Sequence, residues 1–96
     1  MTYGRFPLEK KIKDIIDNIP KLPGMYIMKD RRSEILYIGK AKVLRNRVRS
    51  YFQNSRGLHP RTRMFLGKVD DIKFLTTKTE AEALILESNF IKKHQP

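Results

Sequence analysis

The 96-residue sequence contains no cysteine and no tryptophan. Without cysteine there are no disulfides, thiolate nucleophiles, zinc ribbons or iron–sulfur clusters, and nothing calls for an oxidising compartment. Histidine is nearly absent. His59 and His94 have no partner histidine at helical spacing, so neither a histidine-based metal site nor a Ser-His-Asp triad is expected. No stretch approaches the roughly 18 consecutive apolar residues of a membrane span. The N-terminal MTYGRFPLEKKIK also lacks the apolar core of a secretion signal. Together these absences predict a soluble, cytoplasmic protein with no membrane partner, too short to enclose a large small-molecule cofactor. Carboxylates are the last scarce class: 10 Asp and Glu face 21 Lys and Arg, for a net charge of +11.

With 40% hydrophobic residues and nine Phe and Tyr, the composition is that of a globular chain. The length predicts a single domain over residues 1–96, burying roughly 60 to 65% of its unfolded surface. The charge excess is local. Between Lys40 and Lys68 stand Lys40, Lys42, Arg45, Arg47, Arg49, Arg56, Arg61, Arg63 and Lys68, with no carboxylate among them. A solvated helical face usually mixes signs, because Glu–Lys pairs support helices, whereas a one-sided run points to a polyanion. Tyr51, Phe52 and Phe65 interleave with these cations, and no cationic helix carries a broad apolar face. Nucleic acid is therefore favoured over a lipid surface.

Periodicity and punctuation divide the chain into seven elements. Leu8, Ile12, Ile15, Ile16 and Ile19 fall at helical spacing, and Pro20 and Pro23 end that helix. Two β-rich runs, 24–29 and 34–39, are separated by Asp30-Arg31-Arg32-Ser33 and read as an antiparallel hairpin. Alternation pairs Tyr26 with Met28 and Ile35 with Tyr37, each opposite an apolar set, so both faces of the sheet should be covered. Val43 to Phe52 reads as a helix with Leu44, Val48, Tyr51 and Phe52 inward, Arg45, Asn46 and Arg49 outward, and Arg47 at the margin. A loop over 53–60 precedes a short helix around Thr62 to Val69, with Met64, Phe65 and Lys68 on its weak apolar side. A third strand follows over 72–77, and the last helix runs to Lys93 behind a Thr79/Glu82 capping box, with Thr77/Glu80 as the alternative. The expected fold is α+β: a small three-stranded antiparallel sheet flanked by helices on both faces.

Two features break this pattern. Glu87 falls inside the apolar stripe Ala83, Leu84, Leu86, Phe90 and Ile91 of the last helix. A carboxylate there requires a cationic partner, a raised pKa or a metal. One inward glutamate in a basic chain suits a hard divalent ion that keeps most of its waters, as magnesium does, although a buried ion pair with one of the arginines is the plainer alternative. The second feature is the pair Tyr26 and Tyr37 on adjacent strands, beside Gly24 and Gly39. Ordinary aromatic packing in a sheet produces the same arrangement.

Gly24-Met25-Tyr26 and, after ten intervening residues, Tyr37-Ile38-Gly39 resemble the paired signature of the GIY-YIG nuclease family. Met25 replaces the usual isoleucine. The runs 35–42 (ILYIGKAK), 44–52 (LRNRVRSYF) and 79–93 (TEAEALILESNFIKK) extend the resemblance over nearly the whole chain, most closely to the nuclease domain that begins bacterial excision-repair incision proteins. The resemblance implies a metal-dependent endonuclease acting on damaged double-stranded DNA and making the 3′ incision, with a UvrB-type damage-recognition complex engaged through the rest of a longer protein. It implies one divalent cation, Mg2+ or Mn2+, on Glu87. Arg47 would contact the scissile phosphate, Tyr37 would activate the attacking water, and Tyr26 would orient that water or the phosphate. Lys40 matches a basic residue beside the second tyrosine, and Tyr51 and Asn89 match supporting positions.

Tyrosine is a poor base, with an ordinary pKa near roughly 10. Lys40, three residues after Tyr37, is the expected means of lowering it. DNA contacts are expected along Lys42, Arg45, Arg49, Arg56, Arg61, Arg63 and Lys68, without base readout. A non-catalytic nucleic-acid-binding module, or a nuclease of another pathway such as mobile-element cleavage, are the other readings. The closing Lys92-Lys93-His94-Gln95-Pro96 suits a boundary into a further domain.

Overall fold

The computed structural model describes residues 6–53 and 57–94, with side chains from Lys10 onward; the Leu8 side chain and Arg56 lie outside the described residues. The elements are α1 (Phe6–Asp17), β1 (Gly24–Lys29), β2 (Ile35–Ala41), α2 (Leu44–Gln53), α3 (Pro60–Leu66), β3 (Asp71–Thr76) and α4 (Glu80–His94). The three strands form one antiparallel sheet in the order β2-β1-β3. β1 is thus the central strand, which explains its composition. Met25, Tyr26, Ile27 and Met28 are all buried, as a strand covered on both faces requires.

The hairpin turn is held by Asp30, whose carboxylate accepts the N–H groups of Arg32 at 2.8 Å and Glu34 at 3.0 Å. Ser33 adopts a left-handed φ of 65° there, a conformation that costs a non-glycine residue about 1 kcal/mol and that the Asp30 bonds offset. Met28 pairs with Tyr37 but Lys29 pairs with Ile35, so Leu36 is an extra residue in the ladder. This bulge interrupts the simple alternation that predicted Ile35 and Tyr37 on one face. Beyond it the register is regular. Tyr37 lies opposite Met28 and Gly39 opposite Tyr26, all on one face, while Lys40 lies opposite Met25 on the other.

On the tyrosine face, Ile12, Ile16 and Ile19 around α1 meet Tyr26 and Met28 of β1, Leu44, Val48 and Phe52 of α2, and Leu66, Val69 and Ile72 around α3 and β3. Burying apolar side chains of this size contributes about 1.5–3 kcal/mol each. α4 covers the opposite face, where Ala83 is fully buried beside the sheet. Its start is capped by Thr79, whose hydroxyl accepts the Glu82 N–H at 3.1 Å, while the Glu82 carboxylate accepts from Lys78 rather than from Thr79. The box is therefore displaced by one residue from its usual form.

Three expectations are corrected. Ala83 is the only buried residue on α4 among the described residues, and Leu84, expected in the inner stripe, is half exposed beside an exposed Ile85. α3 begins two residues early, because Pro60 suits a first helical position and the His59 ring nitrogen accepts the Arg61 N–H at 3.1 Å. That start turns Leu66 and Phe65 inward and leaves Met64 exposed. Among the described residues no helix is long and apolar enough to cross a membrane.

Candidate active site

Two strands and two helices build an aromatic cluster on the tyrosine face. Tyr26 projects from the central strand, Tyr37 from the edge strand, and Tyr51 from α2, with the three ring centroids each 6.1 Å apart. The hydroxyls of Tyr26 and Tyr51 share a hydrogen bond of 2.8 Å. Phe65 of α3 stacks on Tyr37 with centroids 5.3 Å apart and planes 10° from parallel. Tyr26 reaches Tyr51 by lying across Gly39. A Cβ at that position would sit among the Cζ, hydroxyl and Cε2 atoms of Tyr26. Gly24 is equally constrained, since a Cβ there would run into the Leu75 carbonyl and the Leu44 side chain. Met25 points to the other face, so the departure from the usual signature does not touch the cluster.

Burial sets the electrostatics. The Tyr26 phenol is driven far above its ordinary range, first by burial, then by its hydrogen bond with Tyr51 and by the Tyr51 and Tyr37 hydroxyls nearby. Tyr37 is also raised, again chiefly by burial, then by Tyr51 and by the negative charge of Glu87, even though it remains 39% exposed. Arg47 opposes both shifts. It sits exposed at the rim of α2 while its inner neighbours Leu44 and Val48 are buried. Tyr26 is therefore a fixed, neutral phenol, and Tyr37 is the cluster tyrosine of β1 and β2 that faces solvent, with Arg47 and Glu87 acting on it in opposite directions.

Glu87 is half-buried rather than enclosed, and among the described residues it makes no ion pair. The buried pair with an arginine that its position permitted does not form there. Nor do the described residues hold any group of three or more His, Cys, Asp or Glu side chains able to cage a metal. A lone carboxylate at a polar rim fits a hard cation that retains its waters, not an all-protein cage.

Lys40 does not behave as its spacing implied. Its ammonium pairs with Glu80 at 3.1 Å on the sheet face opposite Tyr37. Three residues along a strand reverse the face, which is the physical reason. Arg45 and Arg49 are likewise occupied: Arg45 donates to the Ile19 carbonyl at 2.6 Å, and Arg49 pairs with Asp17 at 3.1 Å. Both tie α2 to the end of α1. The same Asp17 accepts Lys13 at 2.8 Å, and these cations hold its carboxyl below the usual range. Lys42, Arg61, Arg63 and Lys68 are exposed and make no ion pair among the described residues. Asn89 is exposed on α4. Phe65 was legible as an aromatic of the basic segment on the apolar side of a short helix; nothing in its spacing places it on Tyr37.

The profile of the family described as the UvrC-like GIY-YIG domain matches residues 22–96. The chain belongs to that family. It is 53% identical over all 96 residues to the UvrABC system protein C of Acaryochloris marina and 51% identical over 87 residues to that of Gloeobacter violaceus. It spans only 15% and 14% of the length of these two relatives. Among solved structures, the GIY-YIG N-terminal endonuclease domain of UvrC from Thermotoga maritima, bound to its catalytic divalent cation magnesium, matches with a TM-score of 0.77 and 38% identity. That match covers 91% of this chain and 93% of that one. A tyrosine-to-phenylalanine variant of the same domain, also bound to its catalytic cation, matches at a TM-score of 0.77 and 37% identity. The chain is accordingly an endonuclease domain of the UvrC-like GIY-YIG type, with the α+β architecture that its sequence predicted.

Proposed function

We propose that this domain hydrolyses a phosphodiester of damaged double-stranded DNA, making the 3′ incision of bacterial nucleotide excision repair in the cytoplasm, with a UvrB-type complex recruited through the rest of a longer protein. The observation that supports the reading is the Tyr26–Tyr37–Tyr51 cluster with one solvent-facing phenol, Tyr37, which feels the charges of both Arg47 and Glu87. Glu87 would hold one divalent cation, Mg2+ or Mn2+. When bound, such an ion supplies neutralising charge for the phosphate and the departing 3′ oxygen. Arg47, always charged and exposed on α2, binds a non-bridging phosphate oxygen and stabilises the charge that develops there.

Tyr37 contacts the attacking water through its hydroxyl. In the resting domain it is protonated at neutral pH, so its first role is to orient that water. It becomes a proton acceptor when positive charge gathers around it, from Arg47 and from a cation that covers the Glu87 carboxylate. Tyr26 is too strongly held as a neutral phenol to exchange protons at neutral pH, and its role is to fix Tyr51. Lys42, Arg61, Arg63 and Lys68 supply backbone contacts to the duplex.

The test is a nicking assay on a lesion-bearing duplex across a titration of magnesium. Glu87→Gln should reduce nicking by at least about a hundredfold, the scale expected on losing one major source of charge stabilisation, while salt-sensitive DNA binding persists. Nicking that survives the substitution removes Glu87 as the ligand and this mechanism with it.

A further inference from the structure

A phenol side chain has two free torsions, so a hydroxyl that must meet a water and a phosphate needs one restraint on its tip and another on its ring plane. For Tyr37 one edge is met by the Tyr51 ring, 6.1 Å away and 65° from parallel, and Tyr51 is itself held by its bond to Tyr26. The ring plane has no support from the sheet on its outer side, because β2 is an edge strand. The one face-to-face partner it has among the described residues is Phe65, at 5.3 Å and 10°. We propose that Phe65 is a positioning residue for the reaction: its stack fixes the ring of Tyr37, and so ties the placement of the reacting hydroxyl to the seating of α3. This inference rests on the functional reading above and adds a residue to it.

The anchoring of α3 supports that role. Phe65 is flanked by Leu66, which is buried, and its carbonyl accepts the N–H of Lys68 at 2.9 Å, just before the fully buried Val69. At the other end, His59 caps the helix. Phe65 is thus fixed by its neighbours on the core side, while Arg61, Arg63 and Met64 of the same short helix face solvent. A duplex gripped by those arginines pulls on the element that holds the Tyr37 ring. Binding and alignment are coupled through one aromatic contact. A small displacement of a reacting group is enough to cost about a hundredfold in rate, so the contact matters more for turnover than for affinity.

Phe65→Ala, Phe65→Leu and Phe65→Tyr separate positioning from packing and from DNA contact. The expected result is a fall in kcat of about ten- to a hundredfold for Phe65→Ala, with KM and DNA affinity within twofold of wild type. Phe65→Tyr, which keeps the stacked ring, should restore kcat to within about threefold. The structural readout is the NMR spectrum of the tyrosine rings. Tyr37, assigned by a Tyr37→Phe variant, should show ring-proton shifts displaced upfield by Phe65 that relax in Phe65→Leu, while those of Tyr26 hold. Wild-type kcat in Phe65→Ala overturns the proposal, as does a loss of DNA affinity that accounts for the whole effect, or failure of Phe65→Tyr to recover. If Phe65→Ala does not fold, the Phe65→Leu spectrum and kcat decide. If the wild-type chain binds DNA but nicks none under any divalent cation, the hydrolase reading fails by itself; an unshifted Tyr37 ring in wild type then refutes the stack independently.

Discussion

Gly39→Ala is the sharpest perturbation the fold offers. The added methyl would fall among the outer atoms of Tyr26, with Cε2 at 2.9 Å and Cζ and the hydroxyl nearer still. A side-chain tip can often swing aside, but this ring is 1% exposed, enclosed by the α1 and α2 residues of the core, and bonded to Tyr51. Relief therefore requires overpacking, at about 1–3 kcal/mol. Moving the ring also breaks the Tyr26–Tyr51 bond and strands a buried hydroxyl, at about 1–3 kcal/mol more. For a chain of this length each kcal/mol lowers Tm by about 4–8 °C, so thermal unfolding followed by circular dichroism should show a loss of at least about 10 °C. Gly57→Ala is the control, because nothing lies within 4 Å of a Cβ there. In a Tyr26→Phe background, where the hydroxyl is gone, the Gly39→Ala penalty should shrink by at least about 0.5 kcal/mol. A Gly39→Ala domain that melts with the Gly57→Ala control and nicks like wild type would refute the reasoning.

The remaining predictions concern charge. Arg61→Ala with Arg63→Ala should flatten the slope of log K against log salt by roughly two units, since each removes one phosphate contact. Arg45→Ala should leave that slope nearly unchanged and instead cost about 1–2 kcal/mol of stability, because its side chain holds the Ile19 carbonyl. Lys40→Met should leave the pH–rate profile in place: burial raises Tyr37, any phenolate-dependent step gains as pH climbs past the ordinary phenol value of about 10, and Lys40 lies on the opposite face of the sheet, paired with Glu80. A profile displaced to higher pH in Lys40→Met would contradict the face assignment of β2.

Much of this was legible from residue order alone. The proline pair after Ile19, the alternation through Tyr26 and Tyr37, and the Thr79 cap each act over a few residues, so local rules locate α1, the hairpin and α4. The tyrosines, Arg47 and Glu87 were visible as exceptions to those rules. What escaped depends on contacts between elements distant in sequence. The expected influence of Lys40 on Tyr37 fails at the level of strand faces and Glu80, 40 residues away. That Arg45 and Arg49 would also bind Ile19 and Asp17 was not legible either, because those partners lie 26 and 32 residues away. α4 is polar and apolar by turns with little segregation, so no stripe announces that only Ala83 would be buried. The Phe65 stack requires α3 to fold back over an edge strand, and no spacing encodes that.

The fit of Tyr26 across Gly39 also bears on engineering. The tripeptides 24–26 and 37–39 look like two separable words, yet the tyrosine of the first occupies the space left by the glycine of the second. Anyone grafting this site onto another hairpin must carry both strands together, aligned so that Tyr26 faces Gly39 and the extra residue Leu36 is kept. A graft of either strand alone would deliver a tyrosine with no slot to lie in, or a slot with nothing to fill it.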